Sequence, residues 1–162
     1  MAKAVTPINE TNKTSNFYPI KGDWTIVRLP IVASVAMESG TAIGVEITSN
    51  TTTGNHKKMG TTNALGANFV GILAEPITAT DEDYATAGKL KAVKIPTSVY
   101  ARCEFTVGAG TFTAVDVGKT VAFHSDSKSL AVDTAGLGAV ITGYVSATRW
   151  VCEFSCPNSL TA

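Results

Sequence analysis

Gly40-Thr41-Ala42-Ile43 opens an apolar-alternating run that Phe69-Val70-Gly71-Ile72-Leu73 answers, and Gly118-Lys119-Thr120-Val121 opens a second run that Ile141-Thr142-Gly143-Tyr144-Val145 answers. Each copy reads as a strand, a glycine-rich excursion and a returning strand. Glycine at the mouth of a strand permits a tight turn into it, and glycine inside a strand marks a bulge or a close backbone approach. The repeated grammar predicts a compact β-module with its loops at the ends.

The same alternation extends outward on both sides. Trp24 and Ile26, then Val27, Leu29 and Ile31, read as strand, with Pro30 suggesting an edge position because proline cannot donate to a ladder. Ile43, Val45 and Ile47 alternate with Gly44, Glu46 and Thr48. Further strands are predicted at 89–95, 99–107, 119–125, 130–134, 139–145 and 149–155, with Asp126-Ser127-Lys128 as a hairpin loop. The Thr-, Asn- and Gly-rich segment 50–67 reads as a long exposed loop, and Asp81 as the cap of one helical turn that runs through Ala87 and stops at Gly88. Short strands, regular turns and almost no helical period make the class all-β, a small sandwich- or barrel-like domain. Residues 1–20 show neither period and contain Pro7 and Pro19; they read as an extended N-terminal arm, followed by a single β-domain over 21–156 and a tail over 157–162. In the arm, Phe17, Tyr18 and Ile20 offer apolar anchors for a partner, and Pro19 favours an extended path.

Composition narrows the function classes. The 13 basic and 13 acidic residues balance, which gives no electrostatic footprint for nucleic acid or anionic lipid. Only 16% of residues are charged against 44% apolar, a low charge density that fits a surface partly covered by neighbours. No run reaches the length a membrane helix needs, and the start lacks the apolar core of a signal peptide, so synthesis in a cytoplasm is expected. The odd set of Cys103, Cys152 and Cys156 argues against a disulfide framework. Cys103 falls on the apolar face of Val99 to Val107, and Trp150, Cys152, Phe154 and Cys156 share one face of the last strand. Cys103 and Cys152 are therefore expected in the core, and a thiolate metal site is rejected for want of a C-x-x-C turn and a fourth ligand.

The residues that suggest chemistry do not assemble into a site. Gly118-Lys119-Thr120 lacks the upstream glycine and the following helix of a phosphate loop. In His124-Ser125-Asp126, strand neighbours point to opposite faces and cannot form a relay; His124 is expected exposed, as is His56 in its polar loop. Asp81, Glu82 and Asp83 lack the spacing of a calcium loop. Glu104 and Glu153 could be the paired carboxylates of a glycosidase if their strands pair, but they read better as a wet face with Arg102 and Arg149 as weak partners. No catalytic, cofactor or metal residue is assigned, and the chain is expected not to be an enzyme.

A polar arm leading into strand, Gly-x-x-aliphatic, loop and a returning V-G-I or T-G-Y strand resembles the head-decoration, or cement, proteins of tailed bacteriophages, here through Gly40 to Ile43, Val70-Gly71-Ile72, Gly118 to Val121 and Thr142-Gly143-Tyr144. The resemblance covers roughly residues 20–156 and rests on short motifs. It implies a β-tulip-like domain with no active site, assembled as a trimer or cluster on the outside of an expanded capsid and bracing the major capsid protein shell against internal DNA pressure. The Phe17-Tyr18-Pro19-Ile20 stretch would contact the shell or a neighbouring copy. The 50–67 segment is long for a minimal member. Rival classes are another β-rich virion component, such as a tail-tube, head-fibre or spike protein, and a carbohydrate-binding domain.

Overall fold

The computed structural model describes residues 17–49, 51–59, 69–98, 101–124, 126–135 and 139–154. Residues 1–16, the tail and Cys156 lie outside the described residues. The class is all-β, as the alternation requires. In the first half, β1 (Tyr18–Lys21), β2 (Trp24–Ile31), β3 (Ala42–Thr48), β4 (Thr51–Lys58), β5 (Phe69–Leu73) and β6 (Lys89–Pro96) follow in chain order. Strands β2, β4, β3, β5 and β6 hydrogen-bond in that order and close a barrel. β2 and β6 pair antiparallel from Trp24↔Pro96 to Ile31↔Lys89, and the ring closes through one parallel contact, Ile31↔His56.

The second half contributes β7 (Arg102–Ala109), β8 (Thr120–Phe123), β9 (Ser129–Ala135), β10 (Ala139–Ser146) and β11 (Arg149–Glu153). Its sheet runs β1-β7-β11-β10-β8-β9, and β9 returns to β7 in parallel at Thr106↔Ser129 and Val107↔Leu130. Five of these strands thus form a second ring, with β1 laid against β7 at Tyr18↔Glu104.

The two rings share one topology: in each, the first strand pairs antiparallel with the fifth and parallel with the third. Register agrees too. Val45, His56 and Ile31 lie side by side across three strands of the first ring, and Phe123, Leu130 and Val107 do so in the second. Gly40 N–H donates to Leu73 O (2.8 Å) and Leu73 N–H to Thr41 O (2.9 Å); Gly118 N–H donates to Ile141 O (2.7 Å) and Ile141 N–H to Lys119 O (3.0 Å). Gly40 and Gly118 are therefore equivalent, and both take the left-handed region, at φ 83° and 89°, that favours glycine. The inner glycines are not equivalent. These bonds align Leu73 with Ile141, which places Gly71 opposite Ile43 as Ala139 is opposite Val121, while Gly143 sits farther along β10.

The core follows the rings. Ile31, Val32, Met37, Ile43, Leu73, Ile77 and Val93 form one buried cluster. A larger one, containing Phe17, Phe69, Phe105, Phe123, Trp150 and Phe154, fills the second ring and continues into the first. Phe69 of β5 stacks on Phe154 at 4.2 Å between ring centroids, so the two barrels meet through aromatic faces.

Several expectations are corrected. Thr51–Lys58 is a strand rather than part of a loop: Thr48↔Thr51 closes a tight hairpin after Ser49, whose φ is 51°. Its Thr-rich start faces solvent, so a polar composition that resembled a loop is that of an exposed strand, where β-branched threonine is favoured. Asp81 caps no helix. Its carboxylate accepts from Thr78 Oγ1 (2.6 Å) and Thr78 N–H (3.2 Å), and it heads a series of tight turns tied to Lys91. The only helical turn among the described residues is a 3₁₀ turn at Ala114–Asp116, where Thr113 N–H donates to Asp116 Oδ2 at 2.7 Å. Within the stretch read as an arm, Phe17 is core and Tyr18–Lys21 is strand. Pro30 sits where β2 has little ladder on its second edge, consistent with its missing donor.

Candidate partner-binding surfaces

The four anchor residues read from the sequence separate in the fold. Phe17 is 2% exposed and packs against Phe105, Phe123 and Phe154, so it serves its own core and is not available to a partner. Its neighbours face outward: Tyr18 and Ile20 are exposed, and Tyr18 and Pro19 border a groove of about 460 Å³ with Ser39, Pro76 and Lys94. β1 holds them there by pairing with β7, while Trp24 Nε1 donates to Lys21 O (3.1 Å) and fixes the corner.

The polar constellations have structural roles. Glu104 lies opposite Val151 and is gripped by Arg149 through Nε (3.2 Å) and Nη2 (3.1 Å); Arg102 Nε donates to Glu153 at 2.6 Å. Both carboxylates of the imagined pair are thus ion-paired across β7 and β11. Cys103 and Cys152 face each other across the same two strands, fully buried, as expected; burial pushes both thiols up, and the neighbouring cysteine adds to the shift of Cys103.

The histidines depart from the reading. His56 is half-buried at the closure of the first barrel, in the ring position that Leu130 fills in the second. Its Nδ1 lies 3.0 Å from Pro30 O, which can only accept, so that nitrogen carries the proton. His124 is also half-buried and lies just past β8, in the turn rather than in a strand. The face-alternation argument therefore does not apply here, and Nδ1 reaches Asp126 Oδ2 at 3.3 Å. Asp126 also bridges to the buried hydroxyl of Ser129 (2.7 Å) and accepts from the Lys128 N–H (2.8 Å), which fixes the hairpin. Ser125 lies outside the described residues. Burial opposes the charge of Asp126, but these hydrogen bonds and His124 outweigh it and hold the carboxyl below its ordinary range.

A surface that the sequence reading missed lies at the end of the second barrel. Phe112, Val117, Tyr144, Ala147 and Trp150 border a groove of about 490 Å³, and Tyr144 stands 63% exposed with its ring 5.0 Å from that of Trp150. The signal was present in Tyr144-Val145, two adjacent apolar residues just before the Ala147-Thr148 turn, where strict alternation permits only one to face the core. Among the described residues no group of three or more His, Cys, Asp or Glu could hold a metal ion, and no helix is long and apolar enough to cross a membrane. No protein-family model and no curated protein matches the chain.

Proposed function

We propose that the chain is a non-enzymatic structural virion protein that binds the outside of an expanded phage capsid, as a homo-oligomer on the major capsid protein, and stabilises the shell. The observation that carries this reading is the use made of the polar side chains: Glu104, Glu153, Asp116 and Asp126 each clamp strands or turns through short bonds, in a chain built of two like barrels. Such a module offers rigid, charge-poor surface. A ligand that binds only the expanded lattice stabilises that lattice by mass action, and many copies per shell add their contributions.

A second reading, a carbohydrate-binding domain, draws on the exposed Tyr144 beside Trp150. Cryo-electron microscopy of particles that co-purify with the chain tests both. Twin-barrel density on the outer face of the shell is expected. Density confined to a tail, or recovery of the chain only on a polysaccharide resin and never on particles, overturns the shell-binding reading.

A further inference from the structure

The β10–β11 hairpin overhangs its own sheet. β8 faces β10 at Ala139 and Val140, and Gly118 and Lys119 carry the ladder on to Ile141. From Gly143 to Ser146, no strand among the described residues pairs with that edge. The overhang, Thr142-Gly143-Tyr144-Val145-Ser146, is uncharged. An open, uncharged edge is a template for another strand, and proteins usually block such edges with lysine, proline or inward charges. This chain does so elsewhere: β1 carries Pro19 and Lys21, and β2 carries Arg28 and Pro30.

The groove beside the overhang is equally free of charge. None of the residues bordering it is charged; Asp116 and Lys119, beside them in sequence, pair with each other at 2.8 Å, and Arg149, opposite Ser146, is held by Glu104. Val117, on its wall, is 47% exposed, as is Val145 on the overhang, and Val115 in the neighbouring loop is 74% exposed. Trp150, 3% exposed, forms part of the wall, and its Nε1 has no acceptor among the described residues.

We propose that this edge and groove bind a second copy of the chain across a two-fold axis, with two β10 edges pairing antiparallel. The occupant follows from the patch itself. It presents a recess, projecting apolar side chains and an unpaired edge together, which is the self-complementarity an isologous contact needs, and it brings no like charges together at the axis. A charged partner segment would find no counter-ion here. The contact is separate from shell binding, does not depend on it, and joins copies in pairs.

The experiment is sedimentation velocity on the full chain over a wide concentration range, combined with amide hydrogen exchange. The wild type is expected to dimerise as concentration rises, with the amides of Gly143 to Ser146 gaining protection in step. Tyr144→Lys and Val145→Lys should each weaken dimerisation by about tenfold or more. Val117→Lys, outside any strand, should do the same with the circular dichroism unchanged, which separates loss of contact from misfolding. A wild type that stays monomeric, an oligomer indifferent to all three substitutions, or protection of Gly143 to Ser146 that does not vary with concentration would overturn the proposal.

Discussion

A methyl group added at Gly71 would collide with the main-chain oxygen of Lys94 and sit 2.8 Å from Val93 Cγ1, so β6 itself would have to move. At Gly143 the nearest atom to such a methyl is Val151 Cβ at 3.5 Å, an ordinary contact. Gly71→Ala should therefore cost about 2–3 kcal/mol in urea unfolding, while Gly143→Ala should stay within about 1 kcal/mol, since the added methyl meets only ordinary contacts and the stiffer unfolded chain favours the fold slightly. Equal effects at the two sites would show that the Gly71 approach is not rigid. The sequence marked both glycines alike, because spacing reports a glycine in a strand but not which neighbour crosses it. Alternation was better at assigning faces: it placed Cys103, Cys152, Trp150 and Phe154 inward, where they are. The two facing thiols, protonated and buried, should be inert. In a Cys156→Ser variant, a thiol-reactive chromogen should label Cys103 and Cys152 only as the protein unfolds, and labelling at the rate of a free thiol in native buffer would contradict their burial.

Strands β7 and β11 are joined by more than their ladder. The side chains of Arg149 and Glu104 are only 16% and 14% exposed, which takes this pair out of the regime of weak surface bridges that its sequence context suggested. Removing either partner leaves the other poorly solvated, and Arg149→Ala or Glu104→Ala should cost about 1–3 kcal/mol, with a coupling above about 1 kcal/mol in a double-mutant cycle. A coupling near zero would return the pair to the surface class. The turns on either side of β8 have their own pH signature. Asp116, through Lys119 and Thr113, and Asp126, through its turn bonds and His124, have lowered carboxyl pKa values. A carboxylate depressed on folding stabilises the fold above its ordinary range, and that contribution disappears as pH falls through the folded value. The melting temperature should hold from neutral pH to about pH 5 and drop below about pH 4. The gap between wild type and Asp126→Asn should narrow as acid is added; a gap that widens would reverse the sign. The sequence put Arg102 and Arg149 beside the two glutamates, but the bonds of Asp116 and Asp126 were not legible in it, because which carboxylate meets which donor there depends on turn geometry rather than on spacing within a strand.

At the scale of the whole chain, the duplication was visible as repeated glycine grammar, but ring closure was not. Ile31↔His56 and Thr106↔Ser129 are parallel contacts between strands that are not neighbours in sequence, and periodicity carries no information on them. The consequence lies at the seam between the rings. Phe69 from the first ring packs against both Phe154 (4.2 Å) and Phe123 (5.5 Å), which also stack on each other at 6.0 Å, and Trp24 meets Phe154 edge-on at 6.2 Å. Ala42 N–H donates to Ser127 O at 2.8 Å, and Lys128 bridges to Glu38 at 3.1 Å. Pulling the rings apart would bare three phenylalanines, each worth about 1.5–3 kcal/mol when buried. The sum rivals the whole stability of a small domain, which is about 5–15 kcal/mol. Neither ring should therefore persist alone, and the chain should melt as one unit. Calorimetry is expected to show a single transition whose van't Hoff and calorimetric enthalpies agree. Phe154→Ala should lower that transition by about 3–5 kcal/mol of stability without splitting it, since the hydrogen bond and ion pair still join the rings. Two resolved transitions in the wild type would show instead that each barrel folds by itself and that the aromatic seam is only a contact between finished domains.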